Sequence, residues 1–290
     1  MKATSLSINL CGPCNAKCPF CISKMTWKTG AKSNEKLINA LPKALDYASY
    51  HRVDTLLVTG SGEPMIAKYS AESLAEIAKD DYKIPIRELQ TNGYQLWKYK
   101  DHLENDFPGL DSFTHISISA ASTMPKISAK IMGLPEDYNY LELAQTLSEL
   151  GFVVRIQLNL NYTGNKYGSI HVGDYTQQLN AWGVHQLSLH QIEKPWGPIK
   201  PGGEKYAEWI DEHAWTTEEC QELWAEVAKQ GAFLRTLPFG AEVYDLNGIS
   251  VAVTHCMDTE ASQDGSVRSL ILQPDGHVYH HWNYRGSILL

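Results

Sequence analysis

A chain of 290 residues, 43% of them hydrophobic, is long enough to bury a full core, and α/β barrels of this size often form one principal domain. Its formal net charge of -8 argues against bulk nucleic acid or an anionic membrane as partner, because both need clustered Lys and Arg. The sequence shows neither a signal peptide nor a run of about 18 apolar residues that could span a bilayer, so we expect a cytoplasmic protein with no membrane partner.

Short apolar segments rich in β-forming residues alternate with helical patterns along the chain. This alternation predicts repeated βα units and a parallel sheet or barrel. We expect six strands, at 5–10, 55–59, 86–91, 115–119, 153–160 and 185–190. Six such units suit an α/β fold of the partial (β/α)6 TIM type, in which catalytic groups gather at the C-terminal ends of the strands.

Two helices have recognisable ends in the sequence. In the segment 141–150, Leu and Ala repeat on one face, and Gly151 follows as a C-terminal cap. A second helix opens with a capping-box pattern at 216–219 and ends at Gly231. Cys220 shares the apolar face of this second helix, so we expect it to serve packing.

The segment 193–203 contains three prolines and three glycines and therefore ends regular structure. We take it as the exit of the barrel, with one domain over 1–200 and a small α+β C-terminal extension, a cap, over 201–290. The cap should contain one or two helices and a hairpin in which 270–272 and 277–279 flank a Gln-Pro-Asp-Gly turn.

Three cysteines follow the first predicted strand, namely Cys14, Cys18 and Cys21, at C-x3-C-x2-C spacing. Three thiolates so close together can hold one iron-sulfur cluster and leave one iron without a protein ligand. A structural zinc site is the alternative, because Cys11 could add a fourth thiolate, although such sites usually show paired C-x2-C spacing. With three of the six cysteines in one motif, metal binding in a reducing compartment is favoured over a disulfide framework.

This stretch resembles the signature of the radical S-adenosylmethionine (SAM) superfamily, including Asn15 after the first cysteine and Phe20 before the third. The resemblance implies that Cys14, Cys18 and Cys21 hold a 4Fe-4S cluster, that Phe20 belongs to the cofactor site, and that SAM chelates the open iron. An electron from the cluster would cleave SAM into methionine and a 5'-deoxyadenosyl radical, which abstracts hydrogen from a substrate. The resemblance also implies a partial barrel and an electron donor such as flavodoxin or ferredoxin.

A glycine-rich segment follows the second predicted strand and reads Gly60-Ser61-Gly62-Glu63-Pro64. Glycines at a strand end let the backbone come close to a ligand, although a plain turn explains such a segment when it stands alone. The resemblance assigns this loop to the amino group of SAM. Its usual form in that superfamily is Gly-Gly-Glu-Pro, from which Ser61 is a small departure.

Polar residues at later strand ends complete the expected site. Asn92, in a Thr-Asn-Gly sequence, matches a position of many relatives, although an Asn-Gly turn explains it equally well. Ser117 and Ser119 alternate along a strand and should face one side, where they resemble residues that bind the SAM ribose; the alternative is a pair of satisfied hydroxyls. We expect Gln191 in the pocket and leave His190 undecided, because strand alternation points the two to opposite sides.

The C-terminal segment contains His255-Cys256 and then His277, His280 and His281. Related enzymes with accessory clusters often carry a cysteine after a Pro-Asp-Gly hairpin, and this cysteine is absent here. We therefore expect no accessory cluster. A zinc or substrate role for a histidine or Cys256 stays open.

Together these motifs predict a radical SAM enzyme that abstracts hydrogen from a small molecule, such as a nucleotide-like or sugar-like compound, in a biosynthetic step. Beyond the cluster and the SAM site, no residue is assigned a catalytic role, because fold does not fix function within such scaffolds. One alternative is a radical SAM modifier of a peptide or an activase of a glycyl-radical enzyme. Another, from a different class, is a zinc-stabilised binding module.

Overall fold

In a computed structural model of the chain, residues 3–27, 29–166, 168–237, 240–255 and 267–290 are described. The strands are β1 (Ala3–Leu10), β2 (Thr55–Gly60), β3 (Ile86–Thr91), β4 (His115–Ala120), β5 (Val153–Leu160), β6 (Gln186–Gln191), β7 (Ala232–Thr236), β8 (Glu242–Leu246), β9 (Ile249–His255), β10 (Val267–Leu272) and β11 (Val278–Tyr279). The helices are α1 (Glu35–Tyr50), α2 (Lys68–Asp80), α3 (Tyr94–Lys98), α4 (Leu103–Asp106), α5 (Pro125–Met132), α6 (Tyr140–Glu149), α7 (Val172–Ala181), α8 (Glu204–His213) and α9 (Thr217–Gln230).

All the strands of the described ranges belong to one sheet, in the order β11-β10-β1-β2-β3-β4-β5-β6-β9-β8-β7. The strands β1 to β6 are parallel and neighbour one another in chain order. Two later strands extend this parallel block, β10 beside β1 and β9 beside β6. The outermost strands pair antiparallel, β11 with β10 on one side and β7 with β8 on the other.

The expected mixed α/β fold with a largely parallel sheet is confirmed. The sheet is not closed, since β11 and β7 remain as its edges, so the structure does not establish the barrel that the resemblance implies. The residues after 200, which we expected to form a cap, add β7 to β11 to the same sheet. A physical reason is that β9 and β10 carry fully buried residues such as Val251 and Leu270, whose burial is the main driving force of folding.

The strands of the parallel block have one apolar and one polar face, and β5 shows the pattern clearly. Ile156 and Leu158 are fully buried, whereas Arg155, Gln157 and Asn159 line a cavity on the opposite side. Successive side chains of a strand point to opposite faces, so the alternation of apolar and polar residues in β5 gives it one apolar face and one polar face. The apolar sides of the strands therefore belong to the core, and the polar sides face the cavity.

Helices supply the rest of the core. In α6 the residues Leu143, Ala144 and Leu147 are fully buried, and Gly151 beyond its end has a φ of 89° that suits a helix C-terminus. The predicted capping box of α9 is present at Thr216, and Cys220 is buried in the core, so its packing role is confirmed. Within the described ranges, no helix combines the length and the apolar character that crossing a bilayer requires.

The polar side of the sheet bounds a cavity of about 1570 Å³. Side chains from β1 to β6 and from β9 and β10 line it, together with the loops that follow β1, β2 and β3. In closed α/β barrels, bulky branched side chains usually fill this space and make it a packed core. Here the lining is rich in Ser, Asn, Gln, His and Arg, so the space is suited to a ligand.

The two faces of β5 give a direct test by substitution. We expect Leu158→Ala to lower the free energy of unfolding by about 2–5 kcal/mol, because a fully buried side chain leaves a cavity. Gln157→Ala should cost less than about 1 kcal/mol, because its side chain lies at the ligand cavity. Urea denaturation followed by circular dichroism measures both. Equal losses in the two variants would mean that the faces are assigned wrongly.

Candidate functional site

The three motif cysteines lie in the cysteine loop, residues 11–21, which follows the C-terminal end of β1. Cys14 is exposed, and Cys18 and Cys21 are half-buried. All three line the cavity. Because β1 lies inside the parallel block with β10 and β2 as neighbours, its end delivers the loop to the edge where functional groups of α/β folds gather.

Backbone hydrogen bonds fix the cysteine loop to its surroundings. The glycine loop, residues 60–64, contributes two of them: Ser61 N donates to Leu10 O at 2.9 Å, and Glu63 N donates to Pro13 O at 3.0 Å. On the other side, Lys17 N donates to Met132 O at the end of α5, at 2.7 Å. Anchors on both sides of Cys14 hold the loop backbone in one conformation.

Gly62 is required by the packing of the two loops. A Cβ atom at this position would lie 2.3 Å from Gly12 O and 2.4 Å from Pro13 O, distances that real Cβ contacts do not show. At Gly60 a Cβ atom would lie 3.0 Å from Leu10 O. We expected these glycines to admit a ligand, and the structure gives a different physical reason for them, which is close approach to the cysteine loop.

The Glu63 side chain connects the glycine loop to the end of β3. Its carboxylate is buried and accepts hydrogen bonds from Met65 N at 3.1 Å, Thr91 Oγ1 at 2.5 Å and Asn92 N at 2.8 Å. Burial raises the pKa of Glu63, and these three donors oppose the rise. Next to it, Pro64 opens a short 3-10 helix and also lines the cavity.

Asn92 connects the end of β3 to the cysteine loop. Its Nδ2 donates to Asn15 Oδ1 at 2.7 Å and lies 3.9 Å from Cys14 Sγ. Its Oδ1 accepts from Tyr94 N at 3.0 Å, which is the local bond of an Asn turn. Gly93 completes that turn with a φ of 78°. The turn and the contact with the cysteine loop are therefore both present.

The thiols of the cysteine loop influence one another electrostatically. Burial raises the pKa of Cys18, and the neighbouring thiols of Cys21 and Cys14 raise it further. Burial also raises the pKa of Cys14, against hydrogen bonds from the Ala16 backbone and Asn92. Metal binding requires thiolates, so a positively charged group here would relieve the repulsion among them.

In the part of the chain that the structure describes, no three His, Cys, Asp or Glu side chains are placed to hold a single metal ion. The donors at the cysteine loop are three thiols, and thiolates are the usual ligands of iron-sulfur clusters. The donor chemistry thus fits a cluster, whose thiolates attach to different irons. Cys256 lies outside the described residues.

The remaining predicted residues take different positions. Phe20 lines the cavity and packs on Trp209 of α8, with ring centroids 5.6 Å apart. Ser119 also lines the cavity, whereas Ser117 on the same side of β4 is fully buried, and its hydroxyl has no hydrogen-bond partner among the residues that the structure describes. The expectation for Gln191 needs correction, because its Nε2 donates to Thr217 Oγ1 at 3.1 Å, away from the cavity.

His190, and not Gln191, is the cavity residue at the end of β6. The physical reason is strand parity: Leu187 and Leu189 of this strand are buried, and Gln191 shares their parity. The side chain of His190 has the opposite parity. Its surroundings lower the pKa of His190 to about 3, first through burial and then through the positive charges of Arg268 and Arg155.

A charged network at the cavity was not predicted from the sequence. Arg155 NH1 lies 2.7 Å from Glu88 Oε2, and Arg155 NH2 donates to Gln186 Oε1 at 2.6 Å. Gln90 Nε2 donates to the other Glu88 oxygen at 3.0 Å. The sequence does contain a signal for this network, because polar residues alternate with apolar ones inside β3, β5 and β6 and so indicate a polar face. Which charges meet across that face depends on sheet register.

No protein-family model matches the chain, and no curated protein matches it either. Among solved structures, one with a similar backbone is the radical S-adenosylmethionine methyltransferase TsrM from Kitasatospora setae, with a tryptophan substrate and the SAM analogue aza-SAM bound. The likeness covers 98% of this chain and 56% of that one, with 10% sequence identity and a TM-score of 0.43. So distant a likeness carries no conclusion about activity.

The packing of Gly62 can be tested without any cofactor. We expect Gly62→Ala to displace the cysteine loop, because the added methyl group meets two backbone carbonyls, and to lower the free energy of unfolding by about 1–3 kcal/mol. Thiol modification of Cys14 should also become faster. The matched control is Gly12→Ala, where a Cβ atom meets nothing within 4 Å. Equal behaviour of the two variants in denaturation and thiol titration would contradict this packing role.

The lowered pKa of His190 predicts a pH dependence of stability. The imidazole has a pKa of about 3 in the folded chain and of 6.5 when it is exposed to water in the unfolded chain. Between these two values the unfolded chain therefore binds more protons than the folded chain. Wild-type protein should therefore lose stability relative to His190→Gln as the pH falls from about 6.5 towards about 3. Denaturation curves of both proteins across this range measure the difference, and a difference independent of pH would refute the prediction.

Proposed function

We propose that the chain is a radical SAM enzyme in which Cys14, Cys18 and Cys21 hold a 4Fe-4S cluster with one iron open to SAM. When bound, this cluster supplies the electron that cleaves SAM and so generates the 5'-deoxyadenosyl radical that takes hydrogen from a substrate. The strands β1 to β6 with their helices serve as the partial barrel of that superfamily. The substrate is a small molecule, and an electron donor such as flavodoxin or ferredoxin provides the reducing equivalents.

One observation carries the proposal most directly: three thiols of a single anchored loop line a cavity of about 1570 Å³. A functional site needs its ligands held by groups that are themselves fixed. Here the backbone bonds from Ser61, Glu63 and Lys17 fix the loop, and the amide of Asn92 lies beside Cys14 Sγ. Hydrogen bonds to a ligating group tune its basicity and orientation. Asn92 is therefore the residue that orients the first thiolate.

The same arrangement supports a SAM site beside the thiols. The glycine loop and Phe20 border the part of the cavity that the three cysteines face, and Ser119 lines it from β4. In this proposal Ser61 and the backbone of Gly60 and Gly62 bind SAM, while Glu63 acts by holding Asn92 in place. Ser117 lies below the cavity surface, so we assign it no contact with SAM.

Anaerobic purification with iron and sulfide, followed by metal and sulfide analysis, tests the proposal. Wild-type protein should be brown and contain iron and acid-labile sulfide in equal amounts. Cys14→Ala, Cys18→Ala and Cys21→Ala should each lose the cluster and the formation of 5'-deoxyadenosine from SAM, because too few thiolates remain. Mass spectrometry measures the nucleoside.

Cys11→Ala is the matched control, since Cys11 lies in the same loop but outside the C-x3-C-x2-C motif. It should keep both iron and SAM cleavage. A colourless wild-type protein that contains zinc, together with loss of the zinc in Cys11→Ala, would refute the enzyme function and support a zinc-stabilised binding module.

A further inference from the structure

The aromatic side chains of the cavity lining are unevenly distributed. None of the described strands contributes a Phe, Tyr or Trp to the lining, whose strand residues are mainly polar. Segments outside the sheet supply the aromatic members of the lining, which are Phe20, Trp27, Tyr206 and Trp282. Ligand pockets are commonly lined by aromatic side chains together with a few placed polar groups. This part of the lining therefore suits the ring of a ligand, and the strands suit its polar groups.

Trp282 has a side chain that a ligand can reach. It is half-buried and lines the cavity. Among the residues that the structure describes, its indole makes neither a hydrogen bond nor a ring contact, and it belongs to neither hydrophobic cluster of the core. Tryptophan is a large apolar surface with one polar N–H group, and burial of that surface is favourable. Its exposed part is thus a surface for a ligand.

Asn283 fixes the chain beside Trp282. The Asn283 side chain is buried, its Oδ1 accepts from Trp27 N at 2.8 Å, and its Nδ2 donates to Trp196 O at 2.7 Å. One amide therefore joins the C-terminal part of the chain to the segment that follows the cysteine loop and to the segment that follows β6. A group held in place before binding loses less entropy when the ligand arrives.

Trp27 is held by contacts of its own. Arg285 Cζ lies 4.9 Å from the centroid of the Trp27 ring, and the Tyr279 ring centroid lies 5.9 Å from it. Trp27 lines the same cavity as Trp282, and its backbone is bonded to the residue next to Trp282. Two tryptophans from distant parts of the sequence thus meet at one side of the cavity. We call Trp27 and Trp282 the indole wall.

The strand order places the indole wall and the glycine loop on different sides of the cysteine loop. The cysteine loop follows β1, which lies between β2 and β10. The glycine loop follows β2, whereas Trp282 follows β11, the partner of β10. Asn9 Nδ2 of β1 donates to Gln273 Oε1 just after β10 at 2.7 Å, so the chain on this side is bonded to the end of β1. The indole wall is therefore separate from the loop that we assign to SAM.

We propose that the indole wall binds a flat aromatic ring of the substrate and that Trp282 determines this specificity. The inference rests on the proposed function for the statement that the bound compound is the substrate of a reaction at the cysteine loop. A flat ring packs on an indole in an offset-stacked or edge-to-face arrangement, and such pairs gain more than their buried area provides. A puckered saturated ring gains only the burial. The substrate class is small molecules that carry an aromatic ring.

Equilibrium dialysis of the anaerobically reconstituted full chain tests this inference, with 2-naphthamide as the probe and decahydronaphthalene-2-carboxamide as its saturated control. We expect saturable binding of 2-naphthamide, about fivefold tighter than that of the control. No reductant is added, and a saturating concentration of SAM should leave this binding unchanged. Absence of saturable binding, equal affinity for the two compounds, or displacement of 2-naphthamide by SAM overturns the inference.

Substitution locates the ring site. Trp282→Leu keeps apolar bulk but removes the flat ring, and it should weaken binding of 2-naphthamide by about fivefold. Trp282→Phe keeps a flat ring and should weaken binding less. Trp196→Leu is the matched control, because the Trp196 side chain is 58% exposed and does not line the cavity. Wild-type affinity in folded Trp282→Leu, or equal losses in Trp282→Leu and Trp196→Leu, overturns the inference.

Photolabelling of the wild-type chain with 6-azido-2-naphthamide is a second measurement, which does not depend on the folding of any variant. Mass spectrometry of the peptides should find the label next to Trp27 or Trp282, and excess 2-naphthamide should suppress it. Labelling confined to other parts of the chain overturns the inference.

Iron and sulfide analysis of the same preparations separates this inference from the proposed function, because binding to the indole wall needs no cluster. A chain that holds the cluster but does not prefer the flat ring retains the proposed function and refutes the ring site. A chain that binds 2-naphthamide in a Trp282-dependent way but takes up no iron refutes the proposed function and retains the ring site.

Discussion

The contact between the glycine loop and the cysteine loop constrains the whole end of the sheet. At Gly62 the carbonyls of Gly12 and Pro13 leave no room for a side chain. Glu63 extends the constraint to the end of β3 through Thr91 and the backbone of the next residue. Three successive strand-end loops are therefore joined by backbone packing and one buried carboxylate, and the directions of the thiols follow from that connection.

Next to these loops, the polar face of the sheet determines which kind of ligand the cavity can bind. In closed α/β barrels, bulky aliphatic side chains fill the space inside the sheet, whereas buried polar side chains cost free energy unless they find hydrogen-bond partners. Arg155 and Glu88 form an ion pair, and Gln186 Oε1 accepts hydrogen bonds from Arg155 Nε and NH2. Other polar side chains of the strands, such as Gln157 and Ser188, line the cavity. The residue types that line the cavity thus suit it to binding a ligand, and the groups that could contact this ligand come from the strands as well as from the loops.

The sequence allowed prediction of the parts of the structure that depend on local pattern. The six strands of the parallel block were predicted because short apolar segments rich in β-forming residues recur between helical patterns, and the motifs were then placed at the ends of these strands. Gln191 was misplaced although Leu187 and Leu189 mark its face, because a strand end was interpreted without the parity of the whole strand. The pairing of β10 with β1 and the ion pair of Arg155 with Glu88 join residues far apart in the chain, which no local pattern encodes.

The pairing of β1 with β10 has a consequence for how the chain is made. Ser5 and Ser269, which are hydrogen-bonded between these strands, are 264 positions apart. Ribosomes release the N-terminal strand first, and closure of so long a segment costs entropy before its contacts form. During synthesis β1 can have β2 beside it but lacks its other neighbour. The strand that delivers the three cysteines is thus a sheet edge until β10 has been synthesised, and an uncovered edge is a template for pairing with other chains.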